Sequence, residues 1–205
     1  MRLLAGVSGA VALTCPPPGF DTDETNFNVS AYASAPWYMQ EQMAVGYLPV
    51  EQNYCVNAQY SRTGKTLWGY DVSVHNHAEE KDGKVHDGSI CARIVDESKG
   101  KLEVAPCFLP AVLAGPYWVI KFNPEVGYAL VSGGPPTHEG TGGCRTGTGV
   151  NNAGLWILTR QREASENVIA QARAYAVKKG FDVGVLNRVD QTNCSHALPE
   201  ADVVV

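Results

Sequence analysis

The stretch YCVNAQYS, residues 54–61, alternates between two kinds of side chain. Successive side chains of a β-strand point to opposite faces, so alternate residues share a face. Polar residues and one cysteine form the first face. The second face carries apolar and aromatic side chains at Tyr54, Val56, Ala58 and Tyr60. This pattern predicts a strand with one face in a core and the other toward water.

Segments of the same kind lie on both sides of this stretch, separated by short turn sequences. The turn sequence KDGK, residues 81–84, contains an Asp-Gly pair, which is a strong hairpin signal. Further strands are predicted at TLWGYDVSV (66–74), GSICARIVD (88–96), KLEVAPCF (101–108), PYWVIKF (116–122), GYALVSG (127–133) and GLWILTR (154–160). About eight strands at hairpin spacing fit an up-and-down barrel or a β-sandwich.

The alternation assigns one set of apolar and aromatic side chains to the inner face of these strands. The set consists of Val56, Ala58, Tyr60, Trp68, Tyr70, Val72, Tyr128 and Trp156. Aliphatic groups and rings with a few phenol hydroxyls are what a site for an apolar small molecule needs. The same side chains also suit an ordinary packed core.

One segment departs from the two-residue period. In ASENVIAQARAYAVKKGF, residues 164–181, apolar side chains recur at helical spacing, and Gly180 provides a stop. We predict a helix over about 165–179. A lone helix must bury its apolar stripe, so we expect it to pack on the outside of the β-structure.

Composition narrows the class of protein. The chain has 205 residues and a formal net charge of −5, and its lysines and arginines are scattered, which argues against nucleic-acid binding. No run approaches 18 apolar residues, so no transmembrane helix is predicted. The length suits one domain, predicted at residues 15–195, with a tail at 196–205.

The chain has six cysteines and no C-x-x-C pair, which favours a disulfide framework over a zinc site. Disulfides indicate an oxidising compartment. The start, MRLLAGVSGAVALTC, has a basic residue, an apolar run and an Ala-x-Ala site, so residues 1–14 are predicted to be a signal or targeting segment. We expect secretion or another extracytoplasmic compartment, with the plastid thylakoid lumen as the alternative.

The order of these segments resembles the lipocalin family, and within it the group of apolipoprotein D, bacterial lipocalin and the plant temperature-induced lipocalins. NFNVSAYASAPWYM (26–39) looks like the start of the family's first strand. YCVNAQYS resembles the second strand, GPYWVIKFNPEVGYALVSG (115–133) the sixth and seventh, and GLWILTR the last. The resemblance covers roughly residues 15–195. It implies an all-β fold, an eight-stranded antiparallel up-and-down barrel with one C-terminal helix outside.

The resemblance also implies roles for particular side chains. Trp37 and Arg160 are expected to stack across the closed end of the barrel, which is a structural role rather than a ligand contact. Tyr60 and Trp156 are expected to contact a ligand. One departure from the family is Ala35-Pro36 before the tryptophan, where the family has a glycine two residues ahead.

Disulfide pairing is open from the cysteine count alone, because six cysteines allow fifteen connectivities. The resemblance to apolipoprotein D implies the bridges Cys55–Cys194 and Cys15–Cys144. The two cysteines that remain, Cys91 and Cys107, flank the ESKG turn and are expected to form a cross-strand bridge. Two buried thiols are the alternative for this pair.

The resulting hypothesis is a protein that binds and transports a small hydrophobic ligand, such as a lipid, retinoid, carotenoid, sterol or pigment. No catalytic residue or cofactor is expected, since neither a Gly-x-Ser-x-Gly motif nor a phosphate-binding loop occurs. The alternatives are a lipocalin-fold enzyme acting on a carotenoid or lipid, and a structural or subunit protein with a closed barrel. A peripheral membrane or protein partner stays open.

Two further motifs have weak signals. His75-x-His77 has spacing that suits a metal on a strand edge, but we expect solvated histidines and no metal site. The sequons Asn28-Val29-Ser30 and Asn193-Cys194-Ser195 matter only in a eukaryotic secretory route.

Overall fold

The structure, a computed structural model, describes residues 14–194. Of the leader predicted at residues 1–14 only Thr14 is described, and the tail predicted at 196–205 lies outside the described residues, as does Ser195 of the second sequon. A four-residue helix, α1 (Val29–Tyr32), precedes the first strand. The strands are β1 (Trp37–Met43), β2 (Tyr54–Arg62), β3 (Val72–Glu79), β4 (Val85–Asp96), β5 (Lys101–Ala105), β6 (Gly115–Asn123), β7 (Tyr128–Ser132), β8 (His138–Glu139), β9 (Cys144–Arg145), β10 (Leu155–Thr159) and β11 (Leu186–Arg188).

Eight of these strands form a closed antiparallel barrel. Each of β1 to β7 pairs with its neighbour in sequence, β10 follows β7, and β10 pairs back onto β1. Tyr38 lies opposite Thr159 and Gln42 opposite Trp156 across that closing pair. The barrel prediction is therefore confirmed over the sandwich. The short β11 adds to β1, and β8 with β9 forms a separate ribbon in the Gly-rich segment between β7 and β10.

The helix α2 (Glu166–Lys178) lies outside the barrel, as predicted. Its side chains Ile169, Ala172 and Ala176 are buried. Ala172 and Ala176 belong to a core cluster with the outer faces of β7 and β10. Gly180, at φ +85°, takes the left-handed conformation that ends the helix. Packing against the barrel supplies the stability that a 13-residue helix lacks in water.

This helix explains why the predicted inner face is wrong for Tyr128. On β7, Ala129 and Val131 point into the barrel, whereas Tyr128 and Leu130 belong to the cluster under α2. The strand is apolar on both faces because both are covered. Alternation cannot distinguish the inner face of such a strand from the outer one.

The prediction is also wrong for Trp68 and Tyr70, because the strand begins only at Val72. Gly69, at φ +90°, forms a turn in which its N–H donates to the carbonyl of Thr66. Trp68 is consequently 49% exposed. Tyr70 is buried outside the barrel in a cluster with Cys91, and its hydroxyl donates to the carbonyl of Leu109 at 2.9 Å.

Three disulfides hold the ends of the chain and one loop against the barrel. The structure pairs the cysteines as the sequence analysis expected, in the bridges Cys15–Cys144, Cys55–Cys194 and Cys91–Cys107. In register Cys91 lies opposite Ala105, so its partner lies two residues beyond the end of β5. The three bridges are consistent with an oxidising compartment. Among the described residues, no helix is long and apolar enough to cross a membrane.

The segment that leads from Cys15 to α1 is held on the barrel by ion pairs. The carboxylate of Asp21 lies 2.7 Å from the ammonium of Lys101 and 3.3 Å from that of Lys99. Asp23 pairs with Lys179 of the α2 end at 2.8 Å. The hydrogen bond from Lys101 lowers the pKa of Asp21 to about 2.

We expect the Asp21 ion pair to stabilise the fold above pH 4 and to be lost in acid. The unfolded carboxyl has a pKa of about 3.9, so its depressed folded value adds stability above that pH, which disappears as pH falls through 2. The side chain is 39% exposed, so screening limits the effect to under about 1 kcal/mol. Urea titrations of wild type and Asp21→Asn at pH 6, 4 and 2.5 test this. A stability difference that grows toward pH 2.5 would contradict it.

Candidate functional site

One end of the barrel is closed around Trp37, which is fully buried at the first position of β1. The guanidinium of Arg160 lies 3.7 Å from the centroid of its ring, and the indole N–H donates to the carbonyl of Tyr32 at 2.9 Å. Arg160 also donates to the carbonyls of Ala31, Tyr32, Ala35 and Pro36. The guanidinium thus satisfies the backbone that enters the first strand.

Arg160 keeps its charge in this setting. Burial lowers the pKa of its guanidinium to about 10, which still leaves the group protonated at neutral pH. A cation over an indole face contributes about 0.5–2 kcal/mol, more when the pair is desolvated. The stack of Arg160 on Trp37 that the resemblance implied is present, and Ala35 and Pro36 supply two of the carbonyl acceptors of Arg160.

Further aromatic rings complete the closed end. The helix α1 places Tyr32 against Trp37, with ring centroids 5.1 Å apart, and against Tyr60 at 5.2 Å. Phe122 from β6 packs on Trp37 at 5.8 Å and on Phe27 at 6.0 Å. These rings fill the interior, so the barrel is shut at this end.

Above these rings the barrel contains a cavity of about 280 Å³. Apolar side chains from six strands form its wall, and polar side chains with Tyr47 and Leu48 surround the other end. The wall side chains are Met39, Val56, Val74, Ile90, Val104, Trp156 and Leu158. A concave, mainly apolar space with a few polar groups is the arrangement that binds small molecules in proteins.

The structure brings together only part of the predicted ligand set. Val56, Tyr60 and Trp156 line the cavity. Ala58 and Val72 belong to the barrel core but do not line the cavity.

The two-residue period also marks several cavity residues that are missing from the predicted set of ligand contacts. Val74 continues the face of Val72 on β3, and Ile90 lies opposite it on β4. Tyr117 and Val104 lie on strands that the sequence predicts, but the inner faces of those strands were not assigned. The alternation that marks these residues was therefore present in the sequence, and only the register between neighbouring strands was missing.

The floor of the cavity consists of phenol hydroxyls. The hydroxyl of Tyr117 lies 2.6 Å from that of Tyr60 and 2.7 Å from that of Tyr32. Burial raises the pKa of all three groups above the ordinary value of tyrosine. They are therefore neutral at physiological pH and retain their protons for hydrogen bonding.

The histidine motif divides into two environments. His75 is exposed, as expected, but the prediction of a solvated side chain is wrong for His77, which is 6% exposed. Its ring nitrogens lie 2.8 Å from the Asp87 carboxylate and 3.2 Å from that of Glu79. In the part of the chain that the structure describes, no three His, Cys, Asp or Glu side chains are placed to hold a metal ion.

Comparison with known proteins identifies similar sequences and structures. No family model matches the sequence. Temperature-induced lipocalin-1 of Arabidopsis thaliana is 30% identical over 110 residues, which are 51% of this chain and 50% of that protein. The match thus spans about half the length of this curated relative.

Solved structures show the same fold at low sequence identity. Lobster apocrustacyanin A1 has a TM-score of 0.56 at 15% identity, covering 80% of this chain and 79% of its own. Lipocalin 12 from rat epididymis has a TM-score of 0.57 at 14% identity, covering 86% and 92%. An eight-stranded barrel closed at one end, with an inner cavity and an outer helix, is the lipocalin fold. The chain has this fold, and over about half of its length its sequence is similar to that of temperature-induced lipocalin-1.

Proposed function

We propose that this protein binds and transports a small hydrophobic molecule in the barrel cavity. The observation that carries the proposal is the cavity itself, with its apolar wall and a volume of about 280 Å³. A ligand that buries ~300 Å² of apolar surface gains about 7 kcal/mol before the costs of association. Micromolar binding is within reach of that gain once a polar contact is added.

The cavity volume bears on the ligand class. Ligand pockets of proteins usually measure about 300–1,000 Å³, so this one is at the lower limit. It favours a short lipid or a compact retinoid. A carotenoid, a sterol or a large pigment would need the mouth around Tyr47 and Leu48 to open further.

A carrier role is favoured over the two alternatives. The hydroxyls on the cavity floor have raised pKa values, so they stay protonated near neutral pH and are unavailable as general bases for an enzyme acting on a carotenoid or lipid. An open cavity above the closed end argues against a barrel that is packed shut. The three disulfides support a secreted protein, with the thylakoid lumen as the alternative compartment.

Tryptophan fluorescence tests the proposal. Titration with retinol, dodecanol and cholesterol should give a saturable change in emission for at least one of them, because Trp156 lines the cavity. Dodecanol does not absorb where tryptophan emits, so its effect isolates direct contact.

Two variants provide the matched control. Trp156→Phe should lose most of a dodecanol response, whereas Trp68→Phe should keep it, since Trp68 is half exposed outside the barrel. A saturable response to none of the three compounds would rule out the carrier function.

A further inference from the structure

The hydroxyls of Tyr32, Tyr117 and Tyr60 form a short chain at the cavity floor. Tyr117 is the middle member, and it contacts the other two hydroxyls at 2.7 and 2.6 Å. Tyr60 and Tyr117 line the cavity, whereas Tyr32 belongs to the closed end beneath it. Tyr32 and Tyr60 are 2% and 6% exposed, so water does not freely satisfy these two groups, and Tyr117 is partly buried.

A proton count shows that these three hydroxyls have one hydrogen-bond donor left over. Three neutral phenols carry three hydroxyl protons, and two hydroxyl–hydroxyl contacts use two of them. Among the described residues, these hydroxyls make hydrogen bonds only with one another. In two of the three proton arrangements the remaining proton is on Tyr60 or Tyr117, which line the cavity. A buried donor without an acceptor costs about 1–3 kcal/mol, so these arrangements favour an acceptor in the cavity.

We propose that the cavity floor selects a ligand with a neutral carbonyl oxygen, a ketone, aldehyde or ester, at its inner end. A carbonyl group of the ligand adds an acceptor and no proton, so it completes the hydrogen bonding of the three tyrosine hydroxyls. A hydroxyl group of the ligand adds an acceptor but also another proton, so one proton is again left without an acceptor. A carboxylate needs several donors once it is buried, and the floor offers one.

The rest of the cavity fits the other end of such a molecule. Its wall above the floor is aliphatic and aromatic, with Trp156 and Leu158 from β10 and Val104 from β5. The ligand would thus be apolar along its length, with its carbonyl toward Tyr60 and Tyr117. This inference rests on the proposed function, since it assumes that the cavity binds a ligand.

Four compounds of nearly equal shape test it on the wild-type protein. They are 2-acetylnaphthalene, 2-ethylnaphthalene, 1-(2-naphthyl)ethanol and 2-naphthoate, with dissociation constants measured by equilibrium dialysis. We expect the ketone to bind at least as tightly as the hydrocarbon, although water solvates the ketone better. We also expect it to bind about five- to tenfold more tightly than the alcohol and the carboxylate.

Variants separate the hydroxyls from the shape of the cavity. The double variant Tyr60→Phe with Tyr117→Phe removes both cavity hydroxyls, so the affinity for the ketone relative to the hydrocarbon should fall about five- to tenfold. Tyr128→Phe is the matched control, because Tyr128 is a buried barrel tyrosine on the side that α2 covers. In this variant the affinity for the ketone relative to the hydrocarbon should equal that of the wild type.

The outcomes distinguish this inference from the proposed function. If all four compounds bind alike, or the alcohol or carboxylate binds best, the carbonyl preference is wrong and the carrier function stands. An unchanged ratio in a folded double variant would likewise overturn it. Absence of binding by all four, together with no fluorescence response, would overturn both. The wild-type comparison decides the matter even if the double variant does not fold.

Discussion

Replacing Trp37 with alanine should lower the free energy of unfolding by about 3–5 kcal/mol, the range typical of a buried tryptophan. The side chain is fully buried, packs on Tyr32 and Phe122, and lies under the guanidinium of Arg160. Its removal leaves a cavity among these rings and takes away the ring face on which the Arg160 guanidinium lies. Urea denaturation followed by circular dichroism would measure the loss.

Trp68→Ala is the matched control for this substitution. Trp68 is 49% exposed in a turn, so its replacement should change stability by less than about 0.5–1 kcal/mol. Similar losses for the two variants would contradict the assignment of Trp37 to the closed end. The comparison matters because both tryptophans stand in segments that the sequence predicts to be strands.

Removing the Cys55–Cys194 bridge should cost about 4–5 kcal/mol. The bridge closes a loop with a sequence separation of 139, and the entropy that it removes from the unfolded chain grows with loop length. Without it, the segment after β11 loses its covalent attachment to β2. Thermal and urea unfolding of the Cys55→Ser/Cys194→Ser variant would measure the effect.

The Cys91–Cys107 bridge provides the comparison within the same chain. Its sequence separation is only 16, so its removal should cost about 3 kcal/mol. Non-reducing peptide mapping should first establish that both bridges form in the isolated protein. Equal losses, or a larger loss for the short loop, would contradict the loop-entropy explanation.

Most of the strands and α2 could be predicted because their signals are local. Hairpin turns such as KDGK, and the period of two in YCVNAQYS, depend on neighbours in sequence. The helix α1 was not predicted, since four residues are too few to show a period. Its Asn28 cap accepts a hydrogen bond from Ala31, but such caps are common in turns as well.

The errors arose where the environment of a side chain depends on distant parts of the chain. Tyr128 points outward because α2 covers β7, and that contact is invisible in the strand itself. His77 is buried between two carboxylates of β3 and β4. In both positions the local pattern is compatible with more than one environment.

The sequence by itself determined the class of fold, the strands of the barrel, the outer helix and, through family resemblance, the partners of six cysteines. Those features follow from local periodicity, turn chemistry and the order of motifs. Only the tertiary structure decided which rings close the barrel, how much space stays open, and which hydroxyls meet on the cavity floor. Tyr32 and Tyr117 are 85 residues apart, and their contact depends on barrel closure and on strand register. The space above them depends on how every side chain packs, which no local pattern determines.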